Sequence, residues 1–153
     1  MLSRPRVFLD TSVLFAAVLS ETGGARLILK LGEARVIRLL VGPQVLQEAD
    51  GVLARKAPRS KALFALLLDQ AEIVIGPVPD TAEGERAEQI VEYGPDARIL
   101  AEALAAQADY FVTFDRQHFI DNPSVHGLPF PVGTPGELLA WLRERFERLE
   151  SEE

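Results

Sequence analysis

The sequence contains no cysteine. That excludes disulfides and thiolate metal sites, and it suits a cytoplasmic protein, where disulfides are rare. No apolar run approaches the roughly 18 residues of a membrane-spanning helix, so no membrane association is expected. The opening MLSRPRVFLD has no long apolar stretch ahead of a small-residue cleavage site, so no secretory signal is expected either. Positive charge is in deficit: 16 Lys and Arg stand against 23 Asp and Glu, a formal net charge of −7. This argues against a protein that holds nucleic acid by bulk electrostatics, since such domains are usually basic. It leaves room for an enzyme that meets nucleic acid through a local basic patch and metal ions. The pattern GxxxxGK[ST] is absent, which removes the P-loop nucleotide enzymes.

What is present is an ordinary globular composition, 48% apolar and 25% charged over 153 residues. One domain over residues 1–150 is expected, with 151–153 as a frayed acidic tail. Apolar strands are predicted at residues 6–10, 36–41, 72–75 and 110–114, with a weak edge strand at 130–132. Between them the apolar spacing turns helical, at 13–19 and 25–31, from 44 onward, and at 62–68, 80–92 and 96–107. Gly32 is read as the stop of the second helix. Asp80 or Thr81 is read as the cap of the 80–92 helix; Thr81 and Glu85 do not have capping-box spacing. Residues 116–120 read as a short helical turn. Thr134-Pro135-Gly136-Glu137 is the best capping signal in the chain, opening a terminal helix over 138–149. Strands alternating with helices predict an α/β fold, a three-layer α/β/α sandwich around a mainly parallel sheet of four or five strands.

The stretch from Gly94 to Phe119 organises the rest. It is one helix followed by one strand, with Asp96 at the helix start and Asp115 just past the strand. A helix that feeds the next parallel strand runs antiparallel to it, so both acids reach the edge where open α/β sheets bind ligands. Asp10 ends the first strand, and Glu48 lies near the start of the helix after the second. Singly, each has an ordinary explanation: a helix-dipole partner, a turn residue, a solvated helix acid, a loop acid. Together they are four carboxylates at one edge, whereas Asp50, Asp69, Asp80 and Asp121 lack this placement. Crowded acids raise one another's pKa, and a hard divalent cation such as Mg²⁺ or Mn²⁺ is the usual compensation. Thr11, Ser12 and Thr113 are placed to hydrogen-bond the acids or ligand waters.

The blocks RVFLDTSVLFAA, GPQVLQEADGVLARK and GPDARILAEALAAQADYFVTFDRQHF resemble those of PIN-domain ribonucleases. The similarity is greatest to the VapC-type toxins of type II toxin–antitoxin pairs and their close relatives, and it spans about residues 6 to 133. The resemblance implies a PIN-like fold and metal-binding acids at Asp10, Glu48, Asp96 and Asp115. Thr113 matches the family threonine two residues before the last acid, and Thr11 and Ser12 its small hydroxyl positions. Phe114 departs from the pattern, standing where many members have a polar or acidic residue. The resemblance further implies an Mg²⁺- or Mn²⁺-dependent endoribonuclease leaving a 5′-phosphate and a 3′-hydroxyl, a homodimer, and, for a toxin, a small antitoxin partner.

An RNA substrate needs cations near the cleft. Arg55, Lys56, Arg59 and Lys61 are the densest group, with Arg98 and Arg116 near the organising stretch; a solvated helix junction explains the first group equally well. His118 is expected to pack or face solvent rather than shuttle protons. A haloacid-dehalogenase-type phosphatase needs a second Asp where Ser12 stands, and a receiver domain needs paired acids after its first strand and a later Lys. The remaining rival is a catalytically inactive PIN-like protein- or RNA-binding module, against which the four intact acids weigh.

Overall fold

The computed structural model describes residues 3–152. Five parallel strands form one sheet: β1 (Arg6–Leu9), β2 (Arg38–Val41), β3 (Val74–Ile75), β4 (Tyr110–Val112) and β5 (Val132–Gly133). Seven helices cover it: α1 (Thr11–Leu19), α2 (Gly24–Glu33), α3 (Pro43–Lys56), α4 (Lys61–Gln70), α5 (Thr81–Ile90), α6 (Gly94–Ala105) and α7 (Pro135–Glu152). The result is the three-layer α/β/α sandwich. The central strands are buried on both faces, as continuous apolar runs require: Val7, Phe8, Leu9, Leu39, Leu40, Phe111 and Val112 are all fully inaccessible. Among the described residues no single helix is long and apolar enough to cross a membrane.

The sheet order is β3-β2-β1-β4-β5. The chain moves from β1 outward to β2 and β3, then returns to the other side of β1 with β4. The order therefore reverses between β1 and β4, and ligand crevices of open α/β sheets form at that switch point. The β1–β4 register is fixed at both ends. At the start, Asp109 accepts the Arg6 backbone N–H at 2.8 Å. The Arg6 guanidinium donates to the Ala106 carbonyl at 2.7 Å and the Gln107 carbonyl at 3.3 Å. At the far end the Asp10 N–H donates to the Val112 carbonyl at 3.0 Å.

Several boundaries differ from the sequence reading, each for a local reason. Gly32 does not stop α2; it lies inside the helix, where an added Cβ would come within 2.5 Å of Leu39 Cδ1. The stop is Arg35, at φ 61°, with Glu72 and Gln107 doing the same after α4 and α6 at φ 54°. Each closes its helix with a paired 5→2 and 6→1 turn, as in Gln107 N–H to Leu104 O and Ala108 N–H to Ala103 O. Asp80 caps α5 in a full capping box, but its partner is Glu83 rather than Glu85. The Thr134–Glu137 box opens α7 as expected, with both bonds at 3.2 Å. Ser151 and Glu152 form the last residues of α7, and Glu153 lies outside the described residues. Of the apolar residues at the start of the chain, Val13, Leu14 and Ile28 belong to the core, while Leu27 is exposed.

A left-handed conformation costs a residue with a Cβ about 1 kcal/mol, a cost glycine avoids. Gln107→Gly is therefore expected to stabilise the fold by about 0.5–1 kcal/mol, a rise of a few degrees in Tm. A thermal melt checks this; an unchanged or lower Tm would show that the Gln107 side chain contributes more than its backbone geometry costs.

Candidate active site

Asp10 follows β1 directly, at the N-cap position of α1, and is only 6% exposed. Two hydroxyls donate to the same oxygen, Oδ2: Thr113 at 2.7 Å and Ser12 at 3.0 Å. Each hydroxyl also accepts a backbone N–H from the end of β4. The Asp115 N–H donates to Thr113 Oγ1 at 2.9 Å, and the Phe114 N–H to Ser12 Oγ at 3.2 Å. Two short relays thus tie the chain after β4 to the carboxylate after β1.

Asp96 sits in the first turn of α6, yet it caps nothing; Tyr93 holds the N-cap position without a side-chain bond. Asp96 Oδ2 and Asp115 Oδ2 both lie 2.9 Å from the same atom, Nδ1 of His118. Asp115 opens a single wide turn, Arg116–Ile120, whose i to i+5 bond runs from the Ile120 N–H to the Asp115 carbonyl at 3.1 Å. Asp115 Oδ1 accepts the His118 backbone N–H at 3.0 Å. The Tyr93 ring stacks on the imidazole, centroids 5.3 Å apart and planes 13° from parallel.

Glu48 projects from the second turn of α3. Thr11 Oγ1 donates to its Oε2 at 3.0 Å and Gln44 Nε2 to its Oε1 at 3.2 Å. The start of α3 is itself held by a carboxylate from α6. Glu102, only 4% exposed, accepts the Gln44 backbone N–H at 2.9 Å. Gly42 makes room for it, since an added Cβ would fall within 2.2 Å of the Glu102 carboxyl.

The electrostatics follow from this crowding. Asp96 is pushed up to about 6, first by burial, then by the charges of Asp10 and Asp115, with Glu48 adding less and His118 opposing. Asp10 is raised mainly by burial, against the hydrogen bonds from Thr113, Ser12 and the Thr11 backbone. Glu102 is also raised by burial, which the backbone N–H groups at the start of α3 partly offset. The His118 imidazole is raised chiefly by its bond to Asp115. Asp96 therefore feels the charge of each of the other three carboxylates expected at this edge, and Asp10 also feels that of Asp115. One oxygen each from Asp96 and Asp115, with one nitrogen of His118, lie within 4.8 Å of one another. The donor set is rich in hard oxygens and over-supplied with negative charge, which fits a divalent cation.

A family model described as PIN domain matches residues 6–117, most of the chain and the range in which all four acids lie. The chain belongs to the PIN-domain family. PIN domains are generally nucleases and typically use a divalent metal. A search of curated proteins finds no match. Two solved structures share the fold. One is VapBC2 from Rickettsia felis bound to a DNA fragment from their promoter, with 16% identity over 83% of this chain and 96% of that one, and a TM-score of 0.61. The other is PAE2754 from Pyrobaculum aerophilum, with 17% identity over 92% of this chain and 90% of that one, and a TM-score of 0.60.

The basic residues of this PIN domain are more scattered than its acids. Arg55 and Lys56 end α3, roughly 10–12 Å beyond Glu48 along the helix axis. Arg59 follows in the short turn Pro58–Ser60, and Lys61 pairs with Asp50 at 3.2 Å. Arg116 lies beside Asp115 in sequence but turns to Asp121 at 3.6 Å. Arg98 is exposed on α6 and lines a cavity of about 320 Å³ with Gln44, Gln47 and Glu88. Phe114 is 47% exposed and contributes only its backbone to the site. His118, expected to pack or face solvent, instead bridges two of the acids. Its place three residues after Asp115 was the available signal. Glu102 and Gln44 went unread because a buried cap supplied from another helix leaves no local pattern.

Two measurements follow. Glu102→Ala leaves the Gln44 N–H without its partner and is expected to cost about 1–3 kcal/mol, with Glu102→Gln milder because an acceptor remains; urea denaturation of both variants reads the difference. The second concerns Asp96 in EDTA. Its folded pKa of about 6 exceeds its ordinary 3.8. The folded state then binds more protons than the unfolded chain between those values, so stability falls as pH rises through that window. Asp96→Asn is expected to be more stable than wild type at pH 7–8, by about 1–2 kcal/mol after solvent screening. The advantage should vanish below about pH 4. A gain that persists unchanged in acid would place its cause elsewhere than in this charge.

Proposed function

We propose that the protein is a metal-dependent endoribonuclease, acting as the toxin of a toxin–antitoxin pair in the cytoplasm. The observation that carries this reading is Asp96 raised to about 6 by burial and by the charges of Asp10, Asp115 and Glu48, with one oxygen each of Asp96 and Asp115 and a nitrogen of His118 within 4.8 Å of one another. Such a set is unfavourable on its own and becomes favourable around Mg²⁺ or Mn²⁺. When bound, the ion supplies Lewis-acid stabilisation of phosphoryl charge and an acidified water.

The chain's own contribution is placement. Thr113 and Ser12 hold Asp10 through one oxygen, and Thr11 and Gln44 hold Glu48 through both of its oxygens. Asp115 is held by the backbone of the turn it opens. These restraints orient three of the four acids before any ligand arrives, which limits the reorganisation that cation binding would require. Arg98 and Arg116 are the candidate cations for phosphates near the site, Arg116 by releasing Asp121; Arg55, Lys56, Arg59 and Lys61 would offer contacts further along the strand. The products are a 5′-phosphate and a 3′-hydroxyl. The likeness in fold to a VapBC2 assembly supports a small antitoxin partner, and the toxin reading carries a homodimer with it.

The test is cleavage of a mixed RNA pool with Mg²⁺, Mn²⁺ or EDTA, comparing wild type with Asp10→Asn and Asp96→Asn. Metal-dependent cutting by wild type is expected, with a loss of at least about 100-fold in either variant while circular dichroism shows an intact fold. Folded wild-type protein that cuts nothing in any metal would overturn the nuclease reading and favour an inactive binding module.

A further inference from the structure

We infer that His118 is a nitrogen ligand of the metal centre, acting with Asp96 and Asp115, and that it biases the site toward Mn²⁺ over Mg²⁺. The inference rests on the reading that these carboxylates hold a divalent cation. It goes beyond that reading by adding a ligand of a different chemical type.

Three observations support it. The first is distance. Nδ1 lies 2.9 Å from Asp96 Oδ2 and 2.9 Å from Asp115 Oδ2. Ligands at about 2.1 Å from a six-coordinate cation stand roughly 3.0 Å apart when they occupy neighbouring positions. The spacing of the nitrogen from each oxygen is therefore already that of adjacent ligands around one ion.

The second is valence. A neutral or protonated imidazole carries at most one hydrogen on Nδ1. That hydrogen faces two carboxylate oxygens at equal distance and cannot serve both at full strength. A cation replacing the proton satisfies all three atoms at once, with Nδ1 supplying a lone pair and the other ring nitrogen carrying the hydrogen.

The third is orientation. The imidazole is not a free surface side chain. The His118 N–H is anchored on Asp115 Oδ1 at 3.0 Å, which fixes the backbone of the turn and leaves Oδ2 toward the ring. Tyr93 lies flat against the imidazole from the start of α6, the helix that carries Asp96. Both elements that supply the acids thus also aim the ring between them. Wide turns of this kind are uncommon and occur often at functional sites.

The chemical consequence is selectivity. Mg²⁺ prefers an all-oxygen shell and sheds water reluctantly, whereas imidazole suits first-row transition ions. An Asp-Asp-His face should therefore favour Mn²⁺ more than the four carboxylates would alone.

The experiment uses the metals alone, without RNA. Mn²⁺ and Mg²⁺ are titrated calorimetrically at pH 8 into wild type, His118→Ala, His118→Gln and Asp96→Asn, each verified as folded by circular dichroism. Electron spin-echo spectroscopy of the Mn²⁺ complexes reads directly bound nitrogen. Wild type is expected to bind Mn²⁺ with a nitrogen coupling. His118→Ala should lose that coupling and at least about tenfold in Mn²⁺ affinity, with Mg²⁺ affinity changed far less. His118→Gln, which offers an oxygen of similar reach, should keep binding but lose most of the preference. Mn²⁺ binding that is equal or tighter in His118→Ala, without nitrogen coupling in wild type, would overturn the inference while leaving the carboxylate centre standing; His118 would then be a resident cation that the metal displaces. Absence of binding in wild type, indistinguishable from Asp96→Asn, would overturn the inference together with the metal reading beneath it.

Discussion

The constraint on which this structure depends is that four carboxylates must be held together against their own repulsion. Nothing about Asp10, Glu48, Asp96 and Asp115 favours their meeting; burial and like charge both oppose it, as the raised Asp96 and Asp10 pKa values record. The force that brings them together is elsewhere, in the apolar sheet. Strands β1 and β4 are buried on both faces, and their pairing is pinned at one end by Arg6 and Asp109 and at the other by Asp10 and Val112. Burial of such side chains contributes roughly 1.5–3 kcal/mol each, so a core of this extent can carry a repulsive edge.

The hydroxyls and amides around the acids do a second job. They do not neutralise the site; they decide where each oxygen points. Thr113 is a clear case: it is fully buried, donates to Asp10 and accepts from the Asp115 N–H. One hydroxyl therefore couples the position of the acid after β1 to the backbone that places the acid after β4. Glu102 plays the corresponding part for Glu48. By accepting the Gln44 N–H it fixes the first turn of α3, and Gln44 in turn donates to Glu48. The close approach this requires explains why residue 42 has no side chain.

Much of this arrangement was legible in the sequence, and the parts that were not share a cause. Strand–helix alternation is a local pattern, so the order of elements and the edge reached by Asp10, Asp96 and Asp115 followed from period and spacing. The capping box at Thr134 and Glu137 was legible for the same reason. The helix stops at Arg35, Glu72 and Gln107 were not, because these side chains carry no mark of a left-handed backbone, and for α2 Gly32 offered a more conventional stop. Gly32 has its role through Leu39 and Ala71, partners distant in the chain. The function of Glu102 and the bridging by His118 likewise depend on which helix lies against which, a relation that sequence spacing does not carry.

The departure of Phe114 from the family pattern and the inferred role of His118 make physical sense when taken together. A carboxylate at position 114 would add a further negative charge at an edge where Asp96 already holds its proton up to about pH 6. Phenylalanine adds none, and its ring, 47% exposed, leaves the converging oxygens undisturbed while its N–H still supports Ser12. On the inference that His118 is a ligand, its imidazole, once its proton is displaced, would supply a donor atom without the charge. An oxygen-only site gains ligands by adding repulsion, whereas a site that takes a nitrogen from the turn after Asp115 gains one without adding a negative charge, at the cost of displacing the proton its acids hold there. The carboxylate that Phe114 leaves out of an all-oxygen centre is, on the inferred geometry, offset by an uncharged donor from that turn.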